Sequence, residues 1–287
     1  MGRIAYVNGR YVPHLDAAVH IEDRGYQFAD GVYEVIAVYR GKVVDEKGHV
    51  DRLDRSLSEL QMNWPVKRRV FGTLIREMIR RNRISDGIVY IQVTRGVAPR
   101  DHAFPENTES ALVMTARSKD IGTLKGGEPV RVLTQPDIRW GRPDIKSVAL
   151  LPNCLAKQRA KEAGCFEAWQ VDAEGLVTEG TLSNAWIVTA EGELVTRNAD
   201  ENAILNGVTR LAVLDLASEA GLRFVERPFT VEEAKKAKEA FLTSTTSFVK
   251  PVVGIDDFVI GTGEIGPVTR KLSSLIGQRL EAQVAEL

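Results

Sequence analysis

Apolar positions change their spacing several times along the chain, and each change predicts a different element. Residues 1–12 read as strand, turn and strand, with Asn8-Gly9 at the turn, a dipeptide that accepts the positive φ angles of a tight hairpin. Residues 32–39 form a β-branched and aromatic run, and Gly41 breaks it. Val70, Phe71, Leu74, Ile75, Met78 and Ile79 then recur at helical spacing, which predicts an amphipathic helix over 67–82. Strand-like runs return at 88–94 and 111–116, with a polar, proline-punctuated loop over 95–108 between them. That loop is too long for a tight hairpin, and loops of such length often carry function.

Periodicity lapses over 118–128, a stretch holding three glycines, and a domain boundary is expected there. The expected division is a small N-terminal α/β domain over 1–118, an interdomain linker over 119–128 and a larger C-terminal α/β domain over 129–287. In the second part a strand over 130–135 precedes a helix that follows Pro152 and stops near Gly164. Two hairpins turn at Asp172-Ala173-Glu174-Gly175 and at Ala190-Glu191-Gly192. A helix opens near Gly207 and ends at Gly221, where a glycine C-cap is expected. A last strand pair and an amphipathic helix from about Val268 close the chain. The expected fold is two mixed α/β domains, with α+β-type mixed sheets and a cleft between them.

Composition narrows the function classes. Hydrophobic residues at 44 % and charged residues at 27 % over 287 residues are ordinary globular values. With 38 Lys+Arg against 39 Asp+Glu the net charge is −1, and there is no long basic block, so no nucleic-acid partner is expected. No run approaches the ~18 apolar residues of a membrane span. The two cysteines, Cys154 and Cys165, suit a reducing compartment and show no metal-ligand spacing, so a soluble cytoplasmic protein without a metal site is expected.

The candidate chemistry begins at Lys146, a lysine between an extended run and a helix start, followed by the apolar Val148-Ala149-Leu150-Leu151. Most lysines are solvated surface groups. A lysine with its stem buried loses its charge readily and can serve as a nucleophile and proton carrier. Glu179, in Val177-Thr178-Glu179-Gly180-Thr181, is either a hairpin residue on a polar face or the acid partner of such an amine. An amine that forms a Schiff base and a carboxylate that pairs with a pyridinium nitrogen are what pyridoxal phosphate requires. Asn206-Gly207-Val208-Thr209 at a helix start, and the hydroxyl run 243–247, would suit an anion, although helix capping and Ser/Thr turns account for either alone.

Seven segments taken together decide between these readings: EDRGYQFADGVYEV, HVDRLDRS, YIQVTRGVAPRDHAFPENT, DIRWGRPDIKSVALLPN, VTEGTLSN, ILNGVTR and FLTSTTSFVKPV. In this order, over nearly the whole chain, they resemble the fold-type IV pyridoxal-phosphate aminotransferases, and within them the D-amino-acid transaminases. The resemblance implies a two-domain enzyme with the cofactor in the interdomain cleft and the Schiff-base lysine, Lys146, in the C-terminal domain. It implies that Glu179 faces the pyridine nitrogen, that Leu205 packs on the ring, and that Arg52, Val208, Thr209, Ser244 and Thr245 hold the phosphate, with Arg55 an adjacent competitor of Arg52. It further implies that Tyr33 binds the substrate α-carboxylate together with Arg100 and His102 of the neighbouring subunit in a homodimer with shared active sites.

The activity so implied is transfer of an amino group from a D-amino acid, D-alanine foremost, to 2-oxoglutarate, giving pyruvate and D-glutamate. A branched-chain L-amino-acid or (R)-amine transaminase would use the same fold and cofactor, and a non-catalytic carrier of pyridoxal phosphate is the alternative from another class. Gly261-Thr262-Gly263-Glu264-Ile265-Gly266 satisfies a dinucleotide-binding glycine pattern but lacks the chain length for a following strand, and reads as a turn.

Overall fold

The computed structural model describes residues 2–121 and 127–285. Half of the linker expected over 119–128 falls on 122–126, outside the described residues. The backbone divides into two compact units. The first comprises Met1–Ile121, Ile145–Ala149 and Gln283–Leu287, and the second Gly122–Asp144 and Leu150–Ala282.

The first unit is built on an antiparallel sheet. Its elements in chain order are β1 (Ile4–Val7), β2 (Arg10–Pro13), α1 (Arg24–Phe28), β3 (Gly31–Tyr39), β4 (Lys42–Val43), α2 (Glu46–Glu59), α3 (Arg68–Asn82), β5 (Gly87–Thr94) and β6 (Ala111–Ser118). Spatial order is β2-β1-β6-β5-β3-β4. The β1–β2 turn is made as Asn8-Gly9 requires, with φ of 44° and 89°. Helix α3 buries Phe71, Ile75, Met78 and Ile79, the spacing of one helical face, while Val70 at the rim of that stripe stays exposed. These side chains join Leu53 and Leu57 of α2 and Ile36, Val89, Ile91 and Met114 of the sheet in one core. Truncating a residue such as Phe71 to Ala there should cost about 3–5 kcal/mol.

The second unit continues with β7 (Val130–Pro136), α4 (Leu151–Glu162), β8 (Glu167–Val171), β9 (Val177–Gly180), β10 (Asn184–Val188), β11 (Leu194–Thr196), α5 (Val208–Glu219), β12 (Phe224–Glu226), α6 (Val231–Lys235), β13 (Glu239–Ser244), β14 (Phe248–Ile255), β15 (Phe258–Val259) and α7 (Pro267–Ala285). Its sheet runs β12-β11-β10-β13-β14-β7-β8-β9, with β15 added on β14. The pairs β7–β8, β7–β14 and β11–β12 are parallel and the others antiparallel, so the sheet is mixed. Helix α5 stops at Gly221, whose φ of 66° no β-carbon residue adopts cheaply. No described helix is long and apolar enough to cross a membrane.

One assignment differs from the sequence expectation. Lys146 was expected in the C-terminal domain, yet Ile145–Ala149 groups with the first unit. The cause is backbone pairing. Tyr33 N donates to Lys146 O (2.9 Å), Val148 N donates to Gly31 O (3.0 Å), and Ser147 forms a bridge with Val32. An extended segment with free N–H and C=O groups takes the ladder that is offered, here the start of β3.

Candidate active site

Strand β3 organises the candidate residues of the first unit, because successive side chains on a strand point to opposite faces. Tyr33 stands on one face, where its ring stacks on Tyr90 with centroids 5.8 Å apart. Lys146 is half-buried, with Nζ 4.5 Å from the centroid of the Tyr33 ring. Burial, and secondarily the neighbouring Tyr33, pushes the Tyr90 phenol up to about 12, so it stays a hydrogen-bond donor, here to Gln92 Oε1 at 2.8 Å. The structure thus brings Tyr33 and Lys146 together through a contact between the two stretches of chain.

On the opposite face Glu34 is buried and receives Arg52 from α2, with Nε at 2.7 Å from one carboxylate oxygen and Nη2 at 2.8 Å from the other. His49 Nδ1 lies 2.8 Å from the same carboxylate. Burial alone would raise the Glu34 carboxyl, but the Arg52 guanidinium and the His49 hydrogen bond hold it well below the ordinary range. Arg55 is exposed and lies beside Glu59, one turn along α2. Of the two adjacent arginines, Arg52 is therefore the one aimed inward.

Arg100 and His102 lie in the segment between β5 and β6, and both are exposed in the single chain. Each flanks the Phe28 ring: the Arg100 guanidinium carbon is 5.0 Å from its centroid and the His102 ring centroid 5.4 Å away.

In the second unit the candidates gather around Glu179, which is 5 % exposed. Its carboxylate accepts from Arg139 Nη1, from Asn184 Nδ2 at 2.9 Å and from the Leu205 backbone N–H at 3.1 and 3.2 Å. Arg139 also donates to Asp137 through Nε (2.9 Å) and Nη2 (2.6 Å). Burial works against the charge on Arg139, yet the two acids raise its pKa far above the usual value, so it is a permanent cation here. A carboxylate with a guanidinium, an amide and a backbone N–H aimed at it cannot rotate freely.

Asn184 is the hub of this arrangement. Its Nδ2 also donates to Leu205 O at 2.8 Å, and a β-carbon on Gly207 would stand 2.2 Å from its Oδ1, so only glycine allows this approach. Asn184 pairs with Thr243 across the β10–β13 ladder, which sets Ser244 and Thr245 beside the start of β10. Gly207 is the N-cap of α5 and supplies no side-chain cap, although the first helical residues, Val208 and Thr209, are buried. Buried helix starts normally have their N–H groups satisfied, and an uncapped one with hydroxyls near it is suited to a phosphate. Sequence reasoning missed Arg139, Asn184 and Asp137. Asn184 and Arg139 stand inside quoted motif segments, but nothing local marks a residue that acts only through a carboxylate 5 or 40 positions away.

Comparison with known proteins gives the family. Residues 31–255 match the family described as amino-transferase class IV. A D-alanine aminotransferase of Listeria innocua is 38 % identical over 287 residues, covering 98 % of this chain and 97 % of that protein. Another, from Staphylococcus haemolyticus, is 40 % identical over 281 residues, covering 97 % and 98 %. Among solved structures, a T.th. branched-chain amino acid aminotransferase complexed with N-(5'-phosphopyridoxyl)-L-glutamate superposes with a TM-score of 0.87 at 25 % identity, covering 100 % of this chain and 96 % of that one. With the family match spanning most of the sequence and these relatives spanning nearly all of it, the chain belongs to the class IV aminotransferases.

Proposed function

We propose that this chain is a pyridoxal-phosphate-dependent D-amino-acid transaminase, moving the amino group of D-alanine to 2-oxoglutarate to give pyruvate and D-glutamate. The observation that carries the reading is the near-full-length likeness to D-alanine aminotransferases at 38–40 % identity. The donor set around Glu179 and the uncapped start of α5 suit the cofactor's ring nitrogen and phosphate. When bound, the cofactor supplies a ring that accepts the electron pair released at the substrate α-carbon.

The chain's own residues have distinct tasks in this reading. Lys146 Nζ would hold the cofactor and would move the α-proton of the bound substrate. Glu179 would face the ring nitrogen and favour its protonated form, and Arg139 with Asn184 and Leu205 N–H keeps Glu179 aimed. Leu205 packs on the ring. Val208 and Thr209 N–H groups, the Ser244 and Thr245 hydroxyls and Arg52 hold the phosphate, Arg52 being oriented by Glu34. Tyr33 takes the substrate α-carboxylate with Arg100 and His102, which serve the neighbouring chain of a homodimer. A carboxylate is matched by a guanidinium fork, a hydroxyl and an imidazole N–H. The enzyme is cytoplasmic, in keeping with two cysteines that are both free.

A second reading, transamination of branched-chain L-amino acids, draws on the likeness to the branched-chain enzyme. Paired D and L donors of alanine and leucine, assayed with 2-oxoglutarate, separate the two. Turnover of D-alanine with none of L-alanine or L-leucine is expected; the reverse preference would sink the D-specific reading.

A further inference from the structure

Two buried arginines and one aspartate lie beside the Arg100–His102 loop and have no task in the reading above. Arg24, on α1, is 3 % exposed and Arg95, just after β5, is 7 % exposed. Both converge on Asp30: Arg24 Nε lies 2.8 Å from Oδ2, Arg95 Nε 2.7 Å from the same oxygen, and Arg95 Nη2 3.0 Å from Oδ1. Two guanidiniums on one carboxylate leave a net positive charge out of water. Such a cluster is costly unless its remaining N–H groups find acceptors.

Those acceptors are backbone carbonyls, and they identify what the cluster holds. Arg24 Nη1 donates to Asp101 O at 2.6 Å and Nη2 to His102 O at 3.5 Å. Arg95 donates to Leu60 O (2.7 Å) and Gln61 O (3.1 Å) at the end of α2, and its guanidinium lies 3.6 Å from the Phe104 centroid. Arg24 stacks over the Phe28 ring at 4.8 Å, the ring that Arg100 and His102 also flank. The loop is therefore pinned at 101, 102 and 104, at His102 itself and immediately after Arg100. Asp30 itself directly precedes Gly31, the first residue of β3, three positions before Tyr33.

We propose that Arg24, Asp30 and Arg95 are positioning residues that set where Arg100 and His102 stand, and so set the enzyme's affinity for the α-carboxylate of its substrates. The inference rests on the reading of Arg100 and His102 as carboxylate binders. It assigns the cluster an effect on KM, since displacing a binding group by an ångström costs affinity without touching the groups that carry the proton.

Arg24→Lys in the full-length holoenzyme is the test. Lysine keeps a cation against Asp30, so the fold is retained, but one ammonium lacks the fork that also reaches the Asp101 and His102 carbonyls. KM for D-alanine and for 2-oxoglutarate should rise about tenfold with kcat within about twofold. Trypsin should cleave after Arg100 several times faster than in the wild type. In an Arg100→Ala/His102→Ala background, Arg24→Lys should add nothing further to KM, because it acts through those side chains. An unchanged KM, a fall in kcat without a rise in KM, or full additivity in that background would each overturn the proposal. Should Arg100→Ala/His102→Ala itself leave KM unaltered, the carboxylate-binding reading fails on its own account. The pinning is then judged by trypsin, and cleavage at the wild-type rate would overturn it.

Discussion

Arg52 apart, which Glu34 fixes, the candidate residues of the two units are held in opposite ways. In the second unit Glu179 is buried and receives a guanidinium, a side-chain amide and a backbone N–H, and the start of α5 is a fixed array of N–H groups. In the first unit Lys146 is half-buried on a short irregular segment, and Arg100 and His102 stand exposed on a loop. The difference follows the work proposed for each. A group that stabilises developing charge is most effective when it needs no reorganisation. A group that must swing between partners, or meet a substrate arriving from solvent, has to keep some freedom.

Two buried glutamates repeat the contrast. Glu34, in the first unit, meets the Arg52 cation and His49 and lies well below the ordinary carboxylate range despite burial. Glu167, in the second, is raised by burial, and its donors are neutral: the Ser183 and Thr181 hydroxyls at 2.8 and 3.0 Å and the Leu182 N–H. Residue type and burial are the same, so the partner decides the charge state.

The largest effect is expected from Lys146→Ala, which should abolish turnover of D-alanine while circular dichroism and the melting temperature stay close to wild type. Activity above trace without added amine would remove Lys146 from its role. Glu179→Gln comes next. It should lower kcat by about two to three decades, since one fixed charge facing the reacting system is lost. Cofactor content, read from absorbance, should be retained; an unchanged kcat would show that Glu179 has no electrostatic role.

Arg100→Ala should cost about one to two decades in kcat/KM for D-alanine, or ~1.5–3 kcal/mol, through loss of a charge-assisted contact. Mixing this variant with Lys146→Ala sharpens the point. Random exchange makes half the dimers mixed with one whole site in each, so about a quarter of wild-type activity should return if the loop serves the neighbouring chain. No recovery, with exchange verified by mass, would confine Arg100 to its own chain.

The clearest effects on stability should come from Glu34→Gln and Glu167→Gln, neither of which is proposed to touch substrate or cofactor. The depressed pKa of Glu34 gives stabilisation that is full above its ordinary value of 4.5 and is lost as pH falls below it. The raised pKa of Glu167 makes the folded protein hold its proton, so wild type loses stability relative to the neutral variant as pH rises above 4.5. Unfolding free energies measured against pH should therefore diverge from wild type in opposite senses, at no more than about 1.4 kcal/mol per pH unit. Parallel slopes for the two variants would show that their charge states do not differ.

Much of this protein was legible in its sequence where the signal is local. The helix over 68–82, the Asn8-Gly9 turn, the helix stop at Gly221 and the mixed α/β character follow from periodicity and backbone chemistry that a few neighbouring residues settle. The motif segments were enough to indicate family, cofactor and activity. Tertiary structure alone decided which strand captures the Lys146 segment, which of Arg52 and Arg55 turns inward, and which donors surround Glu179. Arg139 lies 40 positions from Glu179, Leu205 lies 26 away, and Arg24 reaches carbonyls 77 and 78 positions distant. Such contacts depend on how sheets and loops close over one another. An arginine or asparagine carries the same local pattern whether it is solvated or serves a buried carboxylate, and only the folded chain distinguishes the two.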